Sequence, residues 1–261
     1  MGGHSASGVA GEAPSKAPPA IAMFWLVKIL ATTAGETGGD SVSMSLKLGY
    51  VAATLIFLGF FLVTLVGQIA ARRYYPWTYW LLVVATTLVG TTTSDMIDRT
   101  FHLGYVKSSA MLLALVVLVL IAWRLTTGRI ESDNIASRRD EIFYWLTILV
   151  SNTLGTALGD FTADDTGLNL GFEWGAALFL GLIALVAVIH FLKWAPQAVL
   201  FWAAYVLTRP LGATLGDTLT KPHAEGGFDF GRILATAVIG VAMVALVALT
   251  PKLRRPTTVD S

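Results

Sequence analysis

Four segments of the chain align without a gap: FWLVKILATTAGETGGD (24–40), YWLLVVATTLVGTTTSD (79–95), YWLTILVSNTLGTALGD (144–160) and FWAAYVLTRPLGATLGD (201–217). Each opens on an aromatic residue followed by tryptophan: Trp25, Trp80, Trp145 and Trp202. Each carries a glycine five places before a terminal aspartate: Gly35, Gly90, Gly155 and Gly212 precede Asp40, Asp95, Asp160 and Asp217. Nine to eleven residues further on comes a glycine with an aromatic (Gly49-Tyr50, Gly104-Tyr105, Gly171-Phe172, Gly227-Phe228), followed by a second apolar run. Self-similarity at a fixed period constrains a fold more than any local propensity, because each unit must solve the same burial problem in the same way.

The solvent for that burial is lipid. Apolar residues make up 55% of the chain and charged residues 13%, against roughly a quarter charged in soluble domains. The apolar residues fall in blocks of about twenty, the length that crosses a hydrocarbon core of about 30 Å. Candidate spans cover about 21–40, 48–71, 77–97, 107–125, 142–161, 173–193, 197–218 and 231–250. Several are short or interrupted by glycine, so a count of seven also fits. The fold class expected is an all-α polytopic membrane protein of about eight transmembrane helices from four parallel two-helix repeats. The repeats cover about 22–75, 76–140, 141–196 and 197–252. Two spans per unit give every unit the same orientation, with an axis along the membrane normal. A ring or a pair of pairs would bring the odd-numbered helices to the centre. Pro76 and Pro196 suit helix starts, where the missing N–H costs nothing.

Residues 1–20, rich in Gly, Ser, Ala and Pro, read as a disordered cytoplasmic tail, and 253–261 as a second tail. Ile21–Ala34 resembles a signal peptide core, but it carries Lys28 and is a full repeat member, so it is expected to be retained. Short loops holding Arg72, Arg73, Arg124, Arg129, Arg138, Arg139 and Lys193 form a basic set, which places both termini in the cytoplasm. The repeated tryptophans, and Trp123 and Trp194, read as interfacial anchors.

A net charge of +1 gives no reason to expect nucleic acid as a partner, and the absence of cysteine excludes disulfides and thiolate chemistry. The partners implied are the bilayer and a small cation, with no resident cofactor beyond a transported divalent ion.

Four tandem two-helix units with this Trp and Gly-to-Asp pattern resemble an uncharacterised bacterial inner-membrane family defined by a repeat of unknown function. The resemblance spans about residues 22–252 and implies an eight-helix architecture and a bacterial inner-membrane location. It carries no activity with it, so the chemistry rests on the residues.

Each aspartate follows its tryptophan by fifteen residues, about 22 Å of helix. A carboxylate at such depth costs about 2.5–3.5 kcal/mol on insertion scales unless it is compensated. Positions four and eight before each aspartate share its helical face: Glu36 and Thr32, Thr91 and Thr87, Thr156 and Asn152, Ala213 and Arg209. Asp40, Asp95, Asp160, Asp217 and Glu36 are the candidate metal ligands, because hard divalent cations prefer oxygen donors. Thr32, Thr87, Thr91, Asn152 and Thr156 would line the site. Lys28 and Arg209 are candidate gating groups or counter-ions, and Lys28 alternatively snorkels to the cytoplasmic face. The recurring glycine permits either close helix approach or a local break in the helix.

The function expected is a transporter for a hard divalent cation, Mn²⁺ or Mg²⁺, with proton-coupled efflux as the mode. The alternatives are a cation channel, an intramembrane aspartyl-type enzyme and a non-catalytic membrane partner. No hydrolase or metalloprotease motif favours an enzyme.

Overall fold

The computed structural model describes residues 15–71, 73–131, 135 and 137–253. Its eight α-helices are α1 (Ala22–Asp40), α2 (Gly49–Ala70), α3 (Pro76–Asp95), α4 (Tyr105–Thr127), α5 (Arg138–Ala163), α6 (Phe172–Phe191), α7 (Gln197–Thr220) and α8 (Arg232–Leu253), with no strand among the described residues. Pro76 begins α3, Pro196 precedes α7, and the Ser137 hydroxyl caps α5 by accepting the Asp140 N–H at 3.0 Å. α1 and α3 run on into π-helical turns, Ser41–Ser45 and Met96–Thr100.

Seven of the helices are long and apolar enough to cross a membrane. The exception, α1, carries Lys28, Glu36 and Asp40, and every residue from 31 to 40 is buried within the protein. Its polarity follows from its place. Helices α1, α3, α5 and α7 pack in that order, and α7 returns against α1 to close a ring. The outer helices α2, α4, α6 and α8 face lipid. Between 17% and 33% of their apolar windows is buried, against 67–72% in α3, α5 and α7. The chain is therefore a multi-pass membrane protein whose odd-numbered helices are central.

The repeat in sequence is not the unit of packing. Each outer helix lies mainly on the inner helix of the following unit: α2 on α3, α4 on α5, α6 on α7, and α8 back on α1. Four hairpins thus interlock, and the last contact joins the two ends of the chain.

The recurring glycines close the ring by near contact. A Cβ at Gly35 would overlap Thr87, one at Gly155 would overlap Arg209, and one at Gly212 would overlap Thr32. A Cβ at Gly90 would lie 2.9 Å from the backbone carbon of Asn152. Every glycine therefore meets the residue eight places before the aspartate on the next helix. The approach lets side chains bond across it: Thr87 donates to the Ala31 carbonyl at 3.3 Å, Thr32 to that of Thr208 at 3.1 Å, and Thr91 to that of Gly35 at 3.2 Å. Of the two roles open to the glycines, the structure uses close packing.

Three features differ from the expectations raised by the sequence. The tryptophans Trp80, Trp145 and Trp202 face inward and are buried. They pack with Phe24, Tyr79, Tyr144 and Phe201 into an aromatic plug across one end of the ring, where the Tyr79 and Tyr144 hydroxyls bond at 2.6 Å. Trp123 is also buried and donates to Asp140 at 2.9 Å, whereas Trp77, Trp174 and Trp194 are exposed at helix ends. Second, residues 15–20 form an ordered strap. Lys16 Nζ donates to Glu141 Oε2 at 2.7 Å and to the Ile69 carbonyl at 3.2 Å, and the Lys16 N–H bonds to the Ile135 carbonyl. Ala17 and Pro18 are buried beneath it. The tail expected for 1–14 and 254–261, like Arg72, lies outside the described residues.

Third, the fourth outer helix starts in a different register. Lys47, His102, Asn169 and Asp229 all adopt positive φ, 53–57°. Each is followed by an apolar residue and a glycine: Leu48-Gly49, Leu103-Gly104, Leu170-Gly171 and Phe230-Gly231. The equivalent of Gly49-Tyr50 in unit four is therefore Gly231-Arg232, not Gly227-Phe228.

Substituting Gly90 by valine is expected to destabilise the fold by about 1–3 kcal/mol through overpacking against α5. Gly59 on α2 has open space where a side chain would begin, with no atom within 4 Å of that point. Gly59→Val is therefore expected to leave the melting temperature in detergent close to that of the parent. Equal melting of the two variants would contradict the ring contact.

Candidate functional site

Residues four apart on a helix form rows inclined to its axis, and tilted helices can hold one such row along a common line. Each inner helix does this, so five layers follow one another along the ring. The Trp-side layer is Phe24, Tyr79, Tyr144 and Phe201. Lys28, Val83, Ile148 and Tyr205 follow, then Thr32, Thr87, Asn152 and Arg209, then Glu36, Thr91, Thr156 and Ala213. The last layer is Asp40, Asp95, Asp160 and Asp217. All of these side chains are buried.

Arg209 is the hub of the middle. Its Nη2 lies 2.8 Å from Glu36 Oε2, 2.5 Å from Thr91 Oγ1 and 2.6 Å from Thr156 Oγ1, sharing its two hydrogens among them, while Nε and Nη1 have no hydrogen-bond partner among the described residues. One nitrogen from α7 thus meets a side chain from each of α1, α3 and α5, and the guanidinium is 0% exposed. An ion pair so far from water is strongly coupled to its surroundings, and removing one partner strands the other. Thr91 and Thr156 serve this hub. Thr32 and Thr87 are directed at backbone carbonyls and act as interhelical staples.

Lys28 departs from the role expected of it. It is fully buried, so it does not snorkel. Its Nζ lies 3.4 Å from Asn152 Oδ1 and 4.2 Å over the Tyr205 ring, and no carboxylate pairs with it among the described residues. Asn152 is fixed in turn by donating to Thr86 at 2.9 Å. The carboxylate's partner in the middle of the ring is Arg209.

At the far end the aspartates converge beneath three cations that the repeat alone does not assign to the site. Arg99 Nε bonds to Asp95 Oδ1 at 2.9 Å, and its Nη2 lies 3.9 Å from Asp160 Oδ2. Lys221 Nζ is 3.9 Å from Asp217 Oδ1, and Arg232 Nε is 3.5 Å from Asp40 Oδ2. The Asp217 carboxylate holds the Lys221 ammonium above the ordinary lysine range, against the opposing cost of burial. Arg99 and Lys221 stand four residues after an aspartate, the helical spacing at which ion pairs form. That spacing is a signal the sequence does contain. Arg232 takes the place of the aromatic that opens the other outer helices, and only the corrected register reveals it.

The five candidate ligands divide into two groups. Oxygens of Glu36, Asp40 and Asp217 all lie within 4.8 Å of one another. Opposite ligands of a hard cation at 2.0–2.6 Å stand about 4–5 Å apart, so these three can hold one with little movement. Asp95 and Asp160 are instead bridged by Arg99. The Arg99 and Arg232 side chains are 33% and 24% exposed, which makes the acid end the open one, while the aromatic plug closes the other.

Fold, repeat and site together define a helical multi-pass membrane protein made of four tandem units around a polar axis. The family described as a repeat of unknown function (DUF347) matches residues 23–74, 78–129, 143–193 and 200–255, and the chain belongs to that family. No curated protein and no solved structure matches it.

Replacing Arg209 by methionine leaves Glu36 buried without its partner, which is expected to cost about 3–5 kcal/mol. Replacing both Arg209 and Glu36 by methionine is expected to recover most of that loss in thermal unfolding. A double variant as unstable as the sum of the two single variants would show that the pair is not coupled.

Proposed function

We propose that this protein is a carrier for a hard divalent cation, Mn²⁺ or Mg²⁺, working in a bacterial inner membrane with both termini in the cytoplasm. The observation that carries this reading is the Glu36–Asp40–Asp217 cluster, three buried carboxylates close enough to share one ion. Oxygen-only donors favour hard cations over zinc or copper. The neighbouring cations suit a carrier as well. Lys221 and Arg232 sit on long flexible stems at 3.9 and 3.5 Å from Asp217 and Asp40, so an entering ion displaces them, while at Glu36 it shares the carboxylate with Arg209 Nη2, 2.8 Å from Oε2. Proton exchange at the same carboxylates would supply coupling, and efflux is the direction we favour.

A channel is the weaker reading. Beyond the ring of four aspartates the axis is crossed by Arg209 and by the aromatic plug, so no continuous pore follows it. A carrier that changes access from one face to the other needs such a barrier. No hydrolase or metalloprotease motif accompanies the aspartates, so no catalytic role is proposed.

Flux of Mn²⁺ and Mg²⁺ into proteoliposomes is the test. Asp217→Asn and Asp40→Asn are each expected to lower the initial rate at least tenfold, with melting temperatures near that of the parent. Undiminished flux in both variants would remove the reading, and single-channel currents in planar bilayers would replace it with a pore.

A further inference from the structure

Two lateral hollows of the ring are filled to different extents. Where the strap of residues 18–21 lies against Trp80 and Thr250, a void of only about 10 Å³ is left. On the opposite side, between α4 and α7, a hollow of about 540 Å³ stays open. Leu113, Val117 and Leu120 form one wall, and Val206 and Trp202 form the other. A second hollow of about 280 Å³ shares Val117 and Leu120 with it and ends at Arg124. The two make one apolar groove, and the Arg124 side chain stands at its end.

Its dimensions are those of one lipid leaflet. Arg124 stands eleven residues after Leu113, about 16 Å along the helix, which is half of a hydrocarbon core of about 30 Å. Arg124 is exposed, and no carboxylate pairs with it among the described residues. It belongs to the end of the molecule where Arg129, Arg138 and Arg139 are also exposed.

We infer that this groove is a binding site for one anionic phospholipid, with an acyl chain between α4 and α7 and the headgroup phosphate on Arg124. Basic pockets between membrane helices recognise anionic headgroups in this way. Dispersion contact along the chain supplies affinity, and the guanidinium supplies selectivity for charge. The occupant lies against Trp202 and Leu154, two residues of the inner ring that line the floor of the groove. The site stands apart from the carboxylate cluster and does not depend on cation transport.

Native mass spectrometry of protein released from nanodiscs reads this directly. With equal phosphatidylglycerol and phosphatidylcholine, the parent is expected to retain one phosphatidylglycerol molecule, at least fivefold in preference to phosphatidylcholine. Arg124→Gln is expected to abolish that preference, and Ala203→Phe, which fills the groove, to lower retention of both lipids. Inorganic phosphate is expected not to displace the lipid. The inference is overturned by equal retention of the two lipids in the parent, by an Arg124→Gln variant that keeps the preference, or by an Ala203→Phe variant that keeps the lipid. Melting in detergent close to that of the parent confirms that both variants fold.

Discussion

A guanidinium buried in the middle of a membrane protein is costly unless the protein neutralises it and bonds its donors. Arg209 meets the charge and part of the hydrogen-bonding demand at Nη2, through Glu36, Thr91 and Thr156, one residue from each of the other inner helices, while Nε and Nη1 have no partner among the described residues. The bonds are possible only because the helices stand unusually close. Gly35, Gly90, Gly155 and Gly212 each give up a side chain at the contact with the next helix. Close packing, a shared polar axis and a central ion pair are therefore one arrangement. The lipid-facing helices can be almost wholly apolar because the polar residues have been drawn inside.

The charges along the axis are uneven. At the acid end, Asp40, Asp95, Asp160 and Asp217 face three cations, Arg99, Lys221 and Arg232. In the middle, Glu36 pairs with Arg209, and Lys28 is buried two layers away beside Asn152 and Tyr205 with no carboxylate partner among the described residues. The formal totals are five and five, yet the acid end is one positive charge short and the middle has one in excess. A proton entering the acid end cancels that excess of negative charge, and a divalent cation more than offsets it. This is the physical reason to look for the bound ion there, and the Glu36–Asp40–Asp217 cluster is where three oxygens already converge. Arg209 and the aromatic plug separate that end from the other.

Much of this is legible in the sequence, for a reason that can be stated. The repeat fixes which residues are equivalent, and a spacing of four on a helix fixes which of them share a face. Those two rules alone place Glu36, Thr91, Thr156 and the aspartates together. The tryptophans are harder to read, because an aromatic at the end of an apolar run suits an interface and a packed plug equally well. Only ring closure turns Trp80, Trp145 and Trp202 inward. Spacing along one helix also says nothing of side-chain reach across the ring, so it cannot tell that Arg209 rather than Lys28 holds the carboxylate. Arg232 is hidden because the Gly227-Phe228 pair imitates the motif four residues too early. The strap of residues 15–20 has the composition of a flexible tail, but Lys16 is drawn in by the buried Glu141.

Most depends on whether the acid end holds a hard divalent cation. Binding that favours the folded state must raise its stability in step with ligand concentration. Thermal unfolding of the purified protein across Mn²⁺, Mg²⁺, Ca²⁺ and Zn²⁺ measures this most directly. A saturable rise in melting temperature with Mn²⁺ or Mg²⁺ is expected, and it should disappear in Asp217→Asn. A melting temperature indifferent to every cation, or a rise that survives loss of Asp217, would contradict the cation site.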